Sequence, residues 1–374
     1  MLKWVGVSIC AAGCLFIQES ARLEAQQPPT SRPATQLQSV EEASGPIPAR
    51  SSLAAGQRST GAGYWKFVAA DEGILPIPEE ARDKLVPAHG TLLVDRQRDI
   101  VYWGLKGVGW IEFSQKLTRS RVIKGDAMFI SGNIHGGELL PRGSQPPLVV
   151  STDDEENEVY ISDTTFAGGK RLEWPNRPPY AQKTAFKPTD ATFITEDEAY
   201  ITDGYGSGYI APISTKEPAY KGSFIGGRQE LSRTPHGITR DPSDGGLYIA
   251  ARPEGLIKKW FPARQEYGET LALPAGSTVC DVELWGDYAL APCLEGGNAP
   301  ARGQARPAGP IYVLNLKTKS IAATLRPQAE LGTPDALHIH DATWYVMGEG
   351  DQQELYILYT NWNPGGIHAM KLVE

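Results

Sequence analysis

The sequence predicts an all-β fold, a six-bladed β-propeller, and three observations predict it. The chain of 374 residues carries 40 Gly, 29 Pro and 15 Tyr and is only 21% charged, a mix that suits many short strands joined by turns. From residue 63 onward a loose unit recurs six times. Each unit has an apolar or Pro lead-in, a His or Asp, a strand, a polar turn, and a second strand ending in Tyr and apolar residues. The opening positions His89, His135, Asp190, His236, Asp281 and His340 are 46, 55, 46, 45 and 59 residues apart. Several strands per unit at this period is the mark of a propeller, and residues 63–374 leave about 52 residues per blade.

The six units justify themselves in order. The first reads His89-Gly90-Thr91-Leu92-Leu93, turns at Arg96 to Asp99 and returns through Val101-Tyr102-Trp103. The second opens at His135 and is expected to reach its second strand at Val159-Tyr160-Ile161. The third opens at Asp190 and reaches Tyr200-Ile201. The fourth opens at His236, turns at Asp241 to Gly246 and reaches Leu247-Tyr248-Ile249. The fifth opens at Asp281 and reaches Tyr288-Ala289-Leu290. The sixth opens at His340 and reaches Leu355-Tyr356-Ile357. A Tyr thus falls in the expected second strand of every unit.

Ahead of the repeat, Lys3 followed by the apolar run Val5 to Ile17 and a small residue at Ala25 reads as an export signal over residues 1–25, so the mature protein is expected to be secreted or periplasmic. Cys14 faintly resembles a lipidation site, although the apolar run continues past it. Residues 26–62, rich in Pro, Ser, Gln and Ala, read as a disordered linker. No apolar stretch reaches the roughly 18 residues a spanning helix needs. The net charge of −8 argues against a nucleic-acid partner. The chain is expected to act as a monomer.

Cys280 and Cys293 flank Val282-Glu283-Leu284-Trp285, Gly286-Asp287 and Tyr288-Ala289-Leu290, a hairpin with a two-residue turn. Counting outward from that turn sets Cys280 opposite Cys293. The expectation is a disulfide, with two buried thiols as the alternative. The acidic run Asp153 to Glu158 reads as a solvated turn, because its spacing does not match a calcium loop.

The six-fold count turns the histidines into geometry. His135, His236 and His340 fall in blades two, four and six, which are related by thirds of a turn. Three imidazoles so placed can meet one zinc ion on the axis and leave a fourth position open, as a catalytic zinc requires. The bland alternative is a set of inner-strand His that bond neighbouring blades. His89 breaks the three-fold pattern and reads as channel-lining or structural. His338 lies at strand spacing two from His340 and could compete as a ligand. His368 reads as unrelated. In the loops after the second strands, Tyr205 follows Gly204, and a dication beside it would favour its phenolate as a base. Arg252 and Lys106 lie four residues past Tyr248 and Tyr102, where they could hold a substrate carboxylate or form solvent-facing salt bridges.

Taken together these residues resemble the NHL type of six-bladed propeller and, more narrowly, the peptidyl-α-hydroxyglycine α-amidating lyases, which cleave the C–N bond of a C-terminal α-hydroxyglycine to give an amide and glyoxylate. The resemblance covers most of residues 85–374. It implies zinc on His135, His236 and His340, a catalytic Tyr in Asp203-Gly204-Tyr205, and an active-site Arg at Arg252. It also implies a structural calcium held by Asp341 and the carbonyl of Gly137. A second family Arg is Lys106 here, and His338 stands where the family tends to have Met. The cysteines do not match the family's animal disulfides. The resulting expectation is an exported zinc-dependent carbon–nitrogen lyase acting on a peptide or α-hydroxyglycine-type substrate. The alternatives are a non-catalytic propeller that binds a protein or peptide, and a lactonase-type hydrolase.

Overall fold

The computed structural model describes residues 33–39, 52–85, 89–296 and 307–373. The expected export signal, with Cys10 and Cys14, lies outside the described residues. Six antiparallel sheets follow one another along the chain, each with its first strand innermost. The innermost strands are Leu92–Asp95, Ile134–Arg142, Asp190–Thr195, Pro235–Arg240, Glu283–Trp285 and Ile339–Met347. The fold is the expected six-bladed propeller. Helical segments among the described residues are short, as at Glu79–Arg82 and Ala127–Ser131.

Blades form because each strand alternates between two buried faces and packs on the blades either side. Between blades one and two lie Tyr102, Trp110, Phe129, Ile134, Val149, Tyr160 and Phe166. Between blades five and six lie Trp65, Tyr288, Ile311, Ile339 and Trp344. Burying one such side chain contributes roughly 1.5–3 kcal/mol, so each wedge holds its neighbour firmly. The ring closes at blade six. The strand Gly366–Val373 pairs antiparallel with Trp65–Ala69, which pairs in turn with Thr60–Ala62.

Four expectations change. Tyr160 lies in the third strand of blade two, Glu158–Asp163. A two-residue Gly143-Ser144 turn, with Gly143 at φ +59°, inserts Gln145–Asp153 as the second strand. The other five repeat tyrosines do lie in second strands. The linker expected over 26–62 is partly built into the fold. Thr35–Gln36 adds in parallel to Leu271–Ala272 of blade four, Gln38–Ser39 adds in parallel to Ser320–Ile321 of blade five, and Thr60–Ala62 belongs to blade six. Such pairing uses backbone groups, so a polar sequence does not forbid it.

The third correction is the disulfide: Cys280 and Cys293 are both free and buried. The Gly286-Asp287 turn is as expected, with Trp285 opposite Tyr288 and Glu283 opposite Leu290. Beyond it the register slips by one residue, so Cys293 faces Val279 and not Cys280. A one-residue slip turns the side chain to the other face. The fourth concerns the acidic run, which is not simply solvated. Asp153 is fully buried and Asp154 nearly so. Asp153 accepts the backbone N–H groups of Glu155 and Glu156 at 3.0 Å each and the Tyr160 hydroxyl at 3.1 Å.

Candidate metal centre

His135, His236 and His340 each stand at the start of an innermost strand, in blades two, four and six. All three are buried. Their ring centres form a nearly equilateral triangle with sides of 4.6, 4.8 and 4.9 Å. Three imidazoles sharing a tetrahedral ion at metal–nitrogen distances of about 2.0–2.1 Å would have ring centres about 5 Å apart.

The next blade fixes the ring orientation. His135 Nδ1 lies 2.6 Å from the carbonyl oxygen of Thr189, and His236 Nδ1 lies 2.7 Å from that of Cys280. A carbonyl only accepts, so both rings carry their proton on Nδ1 and present the Nε2 lone pair to the axis. The residue after each of these His is Gly, for a steric reason. A Cβ on Gly136 would lie 2.3 Å from the Thr189 carbonyl oxygen, and one on Gly237 would lie 2.8 Å from that of Cys280. Only Gly lets the neighbouring strand approach this closely.

Tyr205 closes one side. Its hydroxyl lies 3.2 Å from His135 Nε2 and 3.0 Å from His236 Nε2, and it accepts a 2.6 Å hydrogen bond from Arg252 Nη1. The phenol has one hydrogen to offer two imidazole lone pairs. Among the described residues, neither buried ring nitrogen of His340 has a hydrogen-bond partner. The cluster therefore holds more lone pairs than protons, which is the donor set a cation would complete. Burial pushes the pKa of His135, His236 and His340 well below the usual imidazole value, so all three stay neutral as metal ligation requires. Burial also raises Tyr205 to about 12, with Arg252 opposing. Without a cation the phenol thus stays protonated near neutrality, contrary to a free-standing base.

The remaining candidates divide. Arg252 is brought into the site. Lys106 reaches the rim, where its ammonium pairs with Glu155 and is about one-third exposed. His338 is not in the cluster: its Nδ1 faces the Asn363 carbonyl at 3.4 Å and its ring lies against Trp362, just ahead of the strand that begins at Ile339. His368 bonds Asn361 and Asp335. Asp190 and Asp281 do not share the histidine ring. They stand one residue further along, in register with Asp341, and with Gly137, Glu138 and Glu283 they line a cavity that the three histidines also border. Burial, then Asp281, raises the pKa of Asp341 and of Asp190. Burial raises Asp281 to about 6 and Glu283 to about 8. Carboxyl groups packed this densely are relieved by a cation.

Three residues that the sequence reading left aside belong to the site. His89 packs 4.1 Å from His135 and 4.7 Å from His340 between ring centres, and the ring nitrogens of these three lie within 4.8 Å of one another. Asn133 bonds His89 Nδ1 at 2.8 Å and Asp154 Oδ1 at 2.9 Å. Burial, then Asp153, raises Asp154 to about 7. The available signal was Asn133 two residues before His135 in blade two, on the same side of the chain.

No family model and no curated protein sequence matches the chain. Among solved structures, the chain is similar to a gluconolactonase from Xanthomonas campestris, with a TM-score of 0.51 and 13% identity over 82% of this chain and 97% of that one. It is also similar to a protein of unknown function from Bacteroides caccae, with a TM-score of 0.45 and 10% identity over 63% of this chain and 81% of that one. Sqt1 from Saccharomyces cerevisiae aligns with a TM-score of 0.45 and 11% identity over 74% of this chain and 69% of that one. At such identities the first of these likenesses speaks for the propeller fold alone.

Proposed function

We propose that this protein is an exported metal-dependent lyase that cleaves the C–N bond of an α-hydroxyglycine-type substrate to an amide and glyoxylate. The observation that carries this reading is the imidazole triangle with Tyr205 and Arg252 against it. His135, His236 and His340 would hold zinc. Such an ion, when bound, supplies Lewis acidity that lowers the pKa of a hydroxyl brought against it. Asp341 and the Gly137 carbonyl, with Asp190 and Asp281 beside them, would hold a calcium-like structural cation.

The chain's own residues supply the rest. Arg252, half-buried and already hydrogen-bonded to Tyr205, has a guanidinium fork suited to the substrate carboxylate. Lys106 adds positive charge at the rim. The cationic Arg252 opposes the burial that holds Tyr205 protonated, so carboxylate binding and proton uptake meet at one phenol. With a cation bound beside it, Tyr205 would stand as a phenolate and would take the proton of the substrate hydroxyl as the O–H pair becomes the new C=O bond. The C–N pair passes to nitrogen, and Tyr205 returns the proton there, so the products balance as an amide and glyoxylate.

Metal analysis of the purified protein and a glyoxylate assay with an α-hydroxyglycine derivative test the proposal. The expected results are one zinc per chain and glyoxylate release. Tyr205→Phe should keep the metal and lose about 10²–10⁴-fold in kcat. Zinc-loaded protein that releases no glyoxylate overturns the lyase reading. A second reading, a lactonase-type hydrolase, is favoured by the carboxylate-lined cavity. It predicts calcium without zinc and turnover of a sugar lactone. A non-catalytic, peptide-binding propeller predicts no stoichiometric metal at all.

A further inference from the structure

His89 is the fourth imidazole of the cluster, and its hydrogen bonds set it apart from the other three. His135 and His236 place Nδ1 on carbonyl oxygens and so keep Nε2 as a lone pair. His89 places Nδ1 on the Asn133 side-chain nitrogen at 2.8 Å. The same nitrogen lies 2.9 Å from Asp154 Oδ1, and the Asn133 side-chain oxygen accepts the His89 backbone N–H at 3.5 Å. A side-chain amide nitrogen only donates, so Asn133 gives one hydrogen to Asp154 and the other to His89. His89 Nδ1 is then an acceptor. A neutral ring with an accepting Nδ1 carries its proton on Nε2, the nitrogen left for the histidine cluster; the centre of the His89 ring lies 6.0 Å from that of Tyr205.

We propose that His89 is the hydrogen-bond donor of this site and not a fourth metal ligand, its Nε2–H directed at the substrate's departing amide. An N–H cannot ligate a metal, so the Asn133–Asp154 pair selects the role. The inference rests on the lyase reading for its substrate. As the C–N bond breaks, charge builds on the amide that leaves. A neutral imidazole can stabilise that charge by donating without giving up its proton. Arg252 then holds one end of the substrate and His89 meets the other.

Two experiments on the full-length protein decide this. Long-range proton–nitrogen correlation spectra of histidine-labelled protein at pH 8, assigned with single His→Gln variants, report the tautomer of each ring directly. His135 and His236 should carry the proton on Nδ1 and His89 on Nε2. Finding His89 protonated on Nδ1 overturns the proposal whatever reaction the protein runs. Cobalt(II) titration provides the second readout. His89→Ala and His89→Gln should bind cobalt within about threefold of the unsubstituted protein, with the same ligand-field spectrum, whereas His236→Ala should weaken binding by well over tenfold. In the glyoxylate assay His89→Ala should lose about ten- to hundredfold in kcat, and His89→Gln, which keeps an N–H, should recover part of it. A loss of cobalt affinity in His89→Ala comparable to that in His236→Ala makes His89 a ligand and ends the proposal. An inactive but cobalt-binding wild type with the expected tautomers ends the lyase reading and leaves the donor assignment standing.

Discussion

Asp203 carries the loop on which Tyr205 stands. Its carboxylate accepts the backbone N–H groups of Lys187 and Ser207 at 2.6 Å each and the Tyr180 hydroxyl at 2.9 Å. Three donors hold it in place, yet burial still raises its pKa to about 7. The folded protein therefore binds this proton more tightly than the unfolded chain, where an Asp titrates near 3.9. The stability Asp203 contributes is present in full below about pH 4 and is lost as pH rises through 7, because the unfolded state then binds fewer protons than the native one. Urea unfolding between pH 4 and 8 should show that decline. Asp203→Asn cannot titrate and should flatten it, at a constant cost of about 1–2 kcal/mol for the N–H bond it no longer accepts. An unchanged pH slope in the variant would show that other carboxyls, such as those of the axial cavity, carry the dependence.

At the scale of the strand, His135 and His236 are each held by the neighbouring blade, and the glycine after each sets the spacing. A Cβ on Gly237 would meet Asp281 Cα at 2.6 Å and Asp281 Oδ1 at 2.4 Å. Backbone atoms cannot swing aside, so Gly237→Ala must push blades four and five apart and stretch the 2.7 Å bond from His236 to Cys280. The expected outcome is about 1–3 kcal/mol of lost stability in urea and a ten- to hundredfold weaker metal affinity by titration. Much of this level was legible in the sequence, because His-Gly at alternate units carries both the ligand and the close approach. What was not legible is register. Cys280 and Cys293 were set opposite by counting from a turn that is there, and a one-residue slip beyond Glu283 undid the pairing. Asp281 in turn stands one place along from the histidine ring, lining the cavity with Asp190 and Asp341. Strand alternation says which residues share a face only until the first bulge. Asn133 and Asp154 escaped notice for another reason. Their meaning lies in a side-chain contact across 21 residues that no local pattern records.

For the whole molecule, the decisive fact is how the ring closes. Repeats at a steady period reveal six blades but not which segment supplies the last strands, and a backbone pairing leaves little trace in a polar sequence. Here the closing strand is Trp65–Ala69, hydrogen-bonded to the final strand Gly366–Val373. Trp65 lies 4.7 Å from Tyr288 of blade five and 5.6 Å from Trp344 of blade six between ring centres, and Phe67 is fully buried in the same cluster. One short segment thus ties the start of the propeller to its end and braces two blades. Removing its main anchor should loosen that seam before it loosens the axis, since the histidines stand on innermost strands and the closing strand is the fourth strand of blade six, away from the axis. Phe67→Ala is expected to cost about 3–5 kcal/mol. Native-state hydrogen exchange should then show the largest loss of protection in Gly366–Val373 and Trp65–Ala69, with blade three, across the ring, exchanging only through global unfolding. Uniform loss across all six blades would mean that the ring opens only as a unit and that the seam has no stability of its own.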